Sequence, residues 1–323
     1  MPLKIIFFGT PFYGLPTLKI LHKSSEFDVL MVVTQPDPKL RRSIKKEHSA
    51  IKNFALKNGI ELFQPVSLKK KATFETLQKL KPDFIVVAAY GKLLPKRVLN
   101  LPVYGCVNLH GSLLPKYRGA APVQWSIIQG EKISGNTIML MSEGMDEGDI
   151  LNFEEIPISQ QMTAGELYEI LSEQGGPLME KTLLDFSAGK ITPLVQDHNF
   201  ATLAPKIGKD LCKIDFRRSA KDIHNLVRGL FPSPLAETNF GKHRLKIVKT
   251  RVYTREILNE EKEKVFGSYL GTHAKQSILL QTGEGVLEII SLKPSGKKKI
   301  SGVDFKNGFR LSAGDHFGDY FET

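Results

Sequence analysis

Asn108 and His110 stand two residues apart at the end of an apolar run, Val103-Tyr104-Gly105-Cys106-Val107, and Gly111-Ser112-Leu113-Leu114-Pro115 follows at once. Strand side chains alternate between faces, so residues two apart project from the same side. A carboxamide beside an imidazole where a strand stops suits acyl transfer. The amide can hold a developing oxyanion, and the imidazole can bond to the same centre or move a proton. Asn-x-His is a short signal, however, and a polar strand end capped by a loop reads the same way. Two neighbouring segments bear on the choice. Ser112–Pro115 sets paired leucines before a proline, a rigid apolar loop that could face a flat heterocycle while its backbone groups bind the edge. Ser142-Glu143-Gly144-Met145-Asp146-Glu147-Gly148-Asp149 is an acidic loop whose two glycines can turn a carboxylate back toward a neighbouring strand end.

The elements that must position these groups alternate. Lys4–Phe8, Val29–Thr34, Phe84–Ala88, Val103–His110 and Thr137–Met141 are short, β-branched runs bounded by Gly, Pro or Asp. Between them Leu15–Leu21, Ser49–Lys57, Ala72–Leu80 and Pro122–Ile128 suit helices. This alternation predicts a doubly wound, Rossmann-like α/β domain with a mainly parallel sheet, whose ligands bind beyond the carboxyl ends of the strands. The first turn lacks the G-x-G-x-x-G fingerprint, and Pro11 removes a backbone N–H that a phosphate cradle would use. No Walker A pattern or clustered metal-ligand spacing occurs, so a nicotinamide, ATP or zinc enzyme is disfavoured and no metal is expected.

Thr163–Phe186 reads as a long helix interrupted near Gly175-Gly176-Pro177. Residues 190–207 carry Pro193 and Pro205 without periodicity and read as a linker, which divides the chain into a first domain at 1–189 and a second at 208–323. In the second, Ser219 caps an amphipathic helix carrying Ile223, Val227 and Leu230. Short strands follow around Leu245–Thr254, Lys264–Leu270, Ser277–Gln281 and Val286–Leu292. They suggest a smaller β-barrel of the oligonucleotide-binding (OB-like) type.

Charge adds a partner class. The 323 residues carry 45 Lys and Arg against 34 Asp and Glu, a net of +11. From residue 205 onward there are 22 basic and 14 acidic residues, so +8 of that excess lies in the last third. A polyanion such as nucleic acid fits this asymmetry, because neutralising phosphates releases counterions. Two cysteines make no disulfide framework, the N-terminus reads as a strand rather than a signal segment, and no stretch reaches the roughly 20 apolar residues that span a bilayer. A monomer in a reducing cytoplasm, away from membranes, is the expectation.

Taken together, Asn108–Pro115, Tyr117-Arg118-Gly119-Ala120-Ala121-Pro122 and Gly144-Met145-Asp146-Glu147-Gly148-Asp149 resemble the shared core of the folate-dependent formyltransferases. Phe8-Gly9-Thr10-Pro11, Ala204-Pro205-Lys206-Ile207, Val227–Pro232 and Leu292–Lys298 resemble the branch whose acceptor is the α-amine of methionyl initiator tRNA. The resemblance implies formyl transfer from 10-formyltetrahydrofolate, with Asn108 and His110 bonding the oxyanion. Asp146 would fix the imidazole and help relay the amine's proton. It places folate contacts at Ser112, Leu113, Leu114 and Pro115. A basic loop after the second strand would meet the tRNA acceptor end; here it lacks the family's glycines and is shorter, leaving Arg41, Arg42, Lys45 and Lys46 as the phosphate contacts. Arg244, Lys246, Lys297 and Lys298 would hold the tRNA body. Lys297 and Lys298 read equally as a solvated turn. Three other readings stay open: transfer to glycinamide ribonucleotide or an amino sugar, hydrolysis of 10-formyltetrahydrofolate, and RNA binding without catalysis.

Overall fold

The computed structural model describes residues 1–37, 48–254 and 265–318, and these form two compact units. The first unit comprises residues 1–122, 133–157 and 168–205. From the N-terminus the chain forms β1 (Leu3–Gly9), α1 (Leu15–Lys23), β2 (Phe27–Val33), α2 (Ala50–Lys57), β3 (Glu61–Phe63), α3 (Lys71–Lys79), β4 (Phe84–Ala88), α4 (Lys96–Leu99), β5 (Cys106–His110), α5 (Pro122–Ile128), β6 (Ile133–Leu140), β7 (Ile150–Pro157) and α6 (Ala164–Ser187). The seven strands lie in the order β3-β2-β1-β4-β5-β6-β7. Pairing is parallel from β3 to β5, and β6 and β7 then add antiparallel edges.

Continuous apolar runs make the central strands. Ile5–Phe8 and Phe84–Ala88 are buried throughout, as strands covered on both faces must be. The expected strand from Val103 begins only at Cys106, because Gly105 takes a φ of +94° and breaks the extended run. Register places Phe8, Val87, Asn108, Met139 and Ile150 side by side across five strands. A carboxamide thus sits in an otherwise apolar row.

The expected interruption of the long helix does not occur. α6 runs unbroken through Gly175, Gly176 and Pro177. The two glycines let it lie close to its neighbours. A Cβ on Gly175 would come 2.6 Å from Leu109 Cδ2 on β5, and one on Gly176 would come 2.6 Å from Ile20 Cδ1 on α1. Packing on both sides outweighs the backbone hydrogen bond that Pro177 forfeits. Buried polar ties add to it. Tyr13 Oη donates to Asn136 Oδ1 on β6 at 2.6 Å, and Asn136 Nδ2 donates to the Leu171 carbonyl on α6 at 2.8 Å.

The second unit comprises residues 123–132, 158–167 and 206–323. It contains α7 (Ala220–Gly229), β8 (Ala236–Phe240), β9 (His243–Tyr253), β10 (Tyr269–His273), β11 (Ser277–Gln281), β12 (Val286–Pro294), β13 (Ile300–Ser301) and α8 (Gly302–Phe309). The sheet is antiparallel, in the order β10-β11-β12-β9-β8, with β13 beside β12. Ser219 caps α7 by accepting from Asp222 N at 3.0 Å. Its apolar face, Ile223, Leu226, Val227 and Leu230, joins Leu245, Ile247, Ile289, Leu292 and Phe305 in one core. β10 starts at Tyr269, later than the expected Lys264, and Gly267 at φ +84° sets the turn before it.

Candidate active site

β5 delivers Asn108 and His110 to the carboxyl end of the sheet, and both are buried. Among the described residues the Asn108 carboxamide makes no side-chain hydrogen bond, leaving its N–H groups available to a ligand. His110 is bonded through one ring nitrogen and faces a carboxylate with the other. Nε2 lies 3.0 Å from the Tyr117 carbonyl, and Nδ1 lies 3.7 Å from Asp146 Oδ2. A carbonyl can only accept, so Nε2 carries the proton and Nδ1 is the nitrogen presented to the carboxylate. A proton taken up at Nδ1 makes an imidazolium that Asp146 stabilises.

Asp146 reaches this position through an unusual backbone. Its φ is +56°, the left-handed region that non-glycine residues seldom occupy. Gly148 makes the turn possible: a Cβ there would lie 1.7 Å from the Leu140 carbonyl oxygen. The carboxylate is fixed from the other side by Gly119, whose N–H donates to Oδ2 at 2.8 Å. Gly119 in turn has a φ of +125°, and a Cβ would come 2.8 Å from the Ala204 carbonyl oxygen. The acidic loop and the Tyr117–Pro122 segment therefore interlock through two positions that require glycine.

The apolar loop beyond β5 is tied down at Thr137 on β6. Thr137 Oγ1 donates to the Ser112 carbonyl at 2.7 Å and accepts from Leu114 N at 3.1 Å. Ser112 Oγ donates to the Lys116 carbonyl at 2.7 Å. The Ser112 hydroxyl and these backbone groups are thus engaged within the protein. Leu114 is buried with Met139 and Ile150, whereas Leu113 stays half-exposed beside Gly135. Leu113 and Pro115 are the loop's accessible apolar surface.

Residues 190–205 contribute more than a connection. Arg118 N donates to the Thr202 carbonyl, Ala204 N donates to the Arg118 carbonyl, and Tyr117 N donates to Thr202 Oγ1, all within 2.9 Å. Gln196 Nε2 donates to the carbonyls of Asp146 at 3.0 Å and Gly148 at 2.6 Å. The buried Arg118 guanidinium donates to Gln196 Oε1 and lies 3.2 Å from His198 Nδ1. Thr137, Gln196, Thr202 and the Tyr117 carbonyl are site-forming groups that the sequence reading did not single out. Only Thr137, on a recognised strand beside His110, carried a usable signal.

Comparisons to known proteins agree with the fold. The family model described as formyl transferase matches residues 3–183, and that described as formyl transferase, C-terminal domain, matches residues 206–310. The chain belongs to the formyl transferase family. It is 45% identical over 307 residues to the methionyl-tRNA formyltransferase of Clostridium novyi, covering 95% of this chain and 97% of that protein. With the methionyl-tRNA formyltransferase of Thermodesulfovibrio yellowstonii it shares 42% over 310 residues, 96% and 97% of the two chains. Among solved structures, an N-formyltransferase from Helicobacter canadensis, in complex with folinic acid and dTDP-3-aminofucose, shares the fold. Its TM-score is 0.65 at 19% identity, over 90% of this chain and 99% of that one.

The proposed tRNA contacts fall in two places. Arg41, Arg42, Lys45 and Lys46 lie outside the described residues. On the second unit, Arg244 and Lys246 share one face of β9, with Lys293 of β12 paired across from Lys246. Arg244 is held by Glu237, at 3.1 Å and 2.5 Å, and Lys246 Nζ donates to the Pro234 carbonyl at 3.1 Å. The turn bearing Lys297 and Lys298 leaves from the same end, where Ser295 N donates to the Arg244 carbonyl. Lys297 Nζ lies 5.2 Å from the Phe309 ring centroid, and Lys298 is exposed. No helix of the described residues is long and apolar enough to cross a membrane.

Proposed function

We propose that this chain transfers the formyl group of 10-formyltetrahydrofolate to the α-amine of methionyl initiator tRNA, with Asn108, His110 and Asp146 as its catalytic residues. The observation that carries the site assignment is the pairing of His110 with Asp146 beside an unbonded, buried Asn108 carboxamide at one strand end. The relatives' shared name, over nearly the whole chain, supports the acceptor.

In this reading the amine nitrogen attacks the formyl carbon and the carbonyl electron pair moves to oxygen. Asn108 Nδ2–H donates to that oxygen. The Nε2–H of His110 now donates to Tyr117. It would turn to the oxyanion because a full negative charge is a stronger acceptor than a neutral carbonyl. The amine's proton passes toward His110 Nδ1 and Asp146. Collapse breaks the bond from the formyl carbon to N10, and the proton returns to N10 of the leaving tetrahydrofolate. Leu113 and Pro115 would face the folate. Arg41, Arg42, Lys45, Lys46, Arg244, Lys246, Lys297 and Lys298 would contact tRNA phosphates. The enzyme would work as a monomer in the cytoplasm, where charged tRNA is used.

Labelled formyl transfer measured side by side on initiator methionyl-tRNA, elongator methionyl-tRNA, glycinamide ribonucleotide and a nucleotide-linked amino sugar tests the reading. Label on initiator methionyl-tRNA is expected. Label on a small amine alone, or formate release without any acceptor, would overturn it.

A further inference from the structure

We infer that Gln196 is a positioning residue for this reaction: its carboxamide holds the 146–148 backbone so that Asp146 meets His110. The inference rests on the proposed function for its kinetic meaning, but its geometry stands independently. Gln196 is buried and all four of its bonding positions are used. Arg118 Nε and Nη2 donate to Oε1 at 3.1 Å and 2.7 Å, while Nε2 donates to the carbonyls of Asp146 and Gly148. A guanidinium can only donate and carbonyls can only accept, so one orientation of the amide satisfies all four bonds and its flip satisfies none. Gln196 is therefore a directional joint between a buried cation and two carbonyls of a turn that leaves Asp146 at a positive φ.

No other side chain among the described residues is bonded to those two carbonyls. The carboxylate has a separate partner in the Gly119 N–H, which orients Oδ2 but not the loop backbone. The remaining ionisable groups of the network, Glu147 and His198, face Arg118, so Asp146 is the charged group set against His110. Losing the Gln196 bonds should let the loop drift and weaken that pairing. The consequence falls on the chemical step rather than on substrate binding.

The first test variant is Gln196→Met, neutral and close in size, which removes both donors. Its kcat should fall at least tenfold, with KM for the folate and for methionyl-tRNA within about twofold of the parent. In an Asp146→Asn background the same change should cost no more than about twofold in kcat, since the pairing that Gln196 serves is already gone. A second variant, Gln196→Glu, keeps an acceptor for Arg118 and so protects folding, but turns an oxygen onto the two carbonyls. It should show the same loss of kcat. A folded variant with parental kcat would overturn the inference. A kcat loss that keeps its full size in the Asp146→Asn background would reduce Gln196 to general scaffolding and overturn it equally. If the parent itself transfers no formyl group, the functional reading fails instead, and the His110–Asp146 distance in a crystal structure of Gln196→Met still decides the role of Gln196.

Discussion

Residues 108–122 meet the Asp146 carboxylate and residues 196–204 hold the backbone around it, so the two stretches differ in how their contribution is made. The first stretch brings side chains that can do chemistry, Asn108 and His110, together with the backbone N–H of Gly119. The second brings mainly backbone and amide groups, through Gln196, Thr202 and Ala204, that hold the first stretch and the acidic loop in place. In the proposed mechanism one stretch supplies the reacting groups and the other supplies their coordinates. The comparison teaches that the candidate site depends on a scaffold whose members would look inert in isolation.

Separating the two kinds of contribution calls first for a change of charge without a change of shape. Asp146→Asn keeps an oxygen for the Gly119 N–H and removes the carboxylate that faces His110. We expect kcat to fall by about 10²–10⁴-fold, the range for losing acid–base help, with thermal stability nearly unchanged. Parental kcat would mean that the first stretch works without Asp146.

A smaller, mixed effect is expected from Gly119→Ala, because this residue of the first stretch packs against Ala204 of the second. Its φ of +125° and the Ala204 carbonyl 2.8 Å from an added Cβ leave no strain-free place for a methyl group. Destabilisation of about 2–3 kcal/mol should appear in denaturant titration, accompanied by a reduced kcat as the N–H leaves Asp146. An alanine variant with parental stability would show that residues 117–121 and 204 are less tightly coupled than their bonds suggest.

Legibility in the sequence divides along the same line. Phe84–Ala88 and Pro122–Ile128 appear with the expected bounds, because apolar periodicity and flanking prolines decide them locally. Asn108, His110 and Asp146 stand out in the sequence because polar residues there interrupt an apolar strand or a glycine turn, and the structure brings His110 and Asp146 together. Residues 190–205 offered no period and read as a connection, since their role depends on neighbours about 50 to 85 positions away. Gly175-Gly176-Pro177 misled for a related reason. Local preference breaks a helix there, while contact with Leu109 and Ile20 requires the missing side chains. The strand at β7 was likewise unmarked, because Phe153, Glu154 and Glu155 leave it without an apolar alternation.

The central claim is that the unbonded Asn108 carboxamide stabilises the oxyanion formed in formyl transfer. It is tested most directly by comparing kcat for Asn108→Ala and the parent on initiator methionyl-tRNA, with folate affinity measured in parallel. Loss of one oxyanion donor predicts a fall of about 10²–10³-fold in kcat with folate affinity little changed. Equal kcat values, or a loss confined to folate binding, would contradict it.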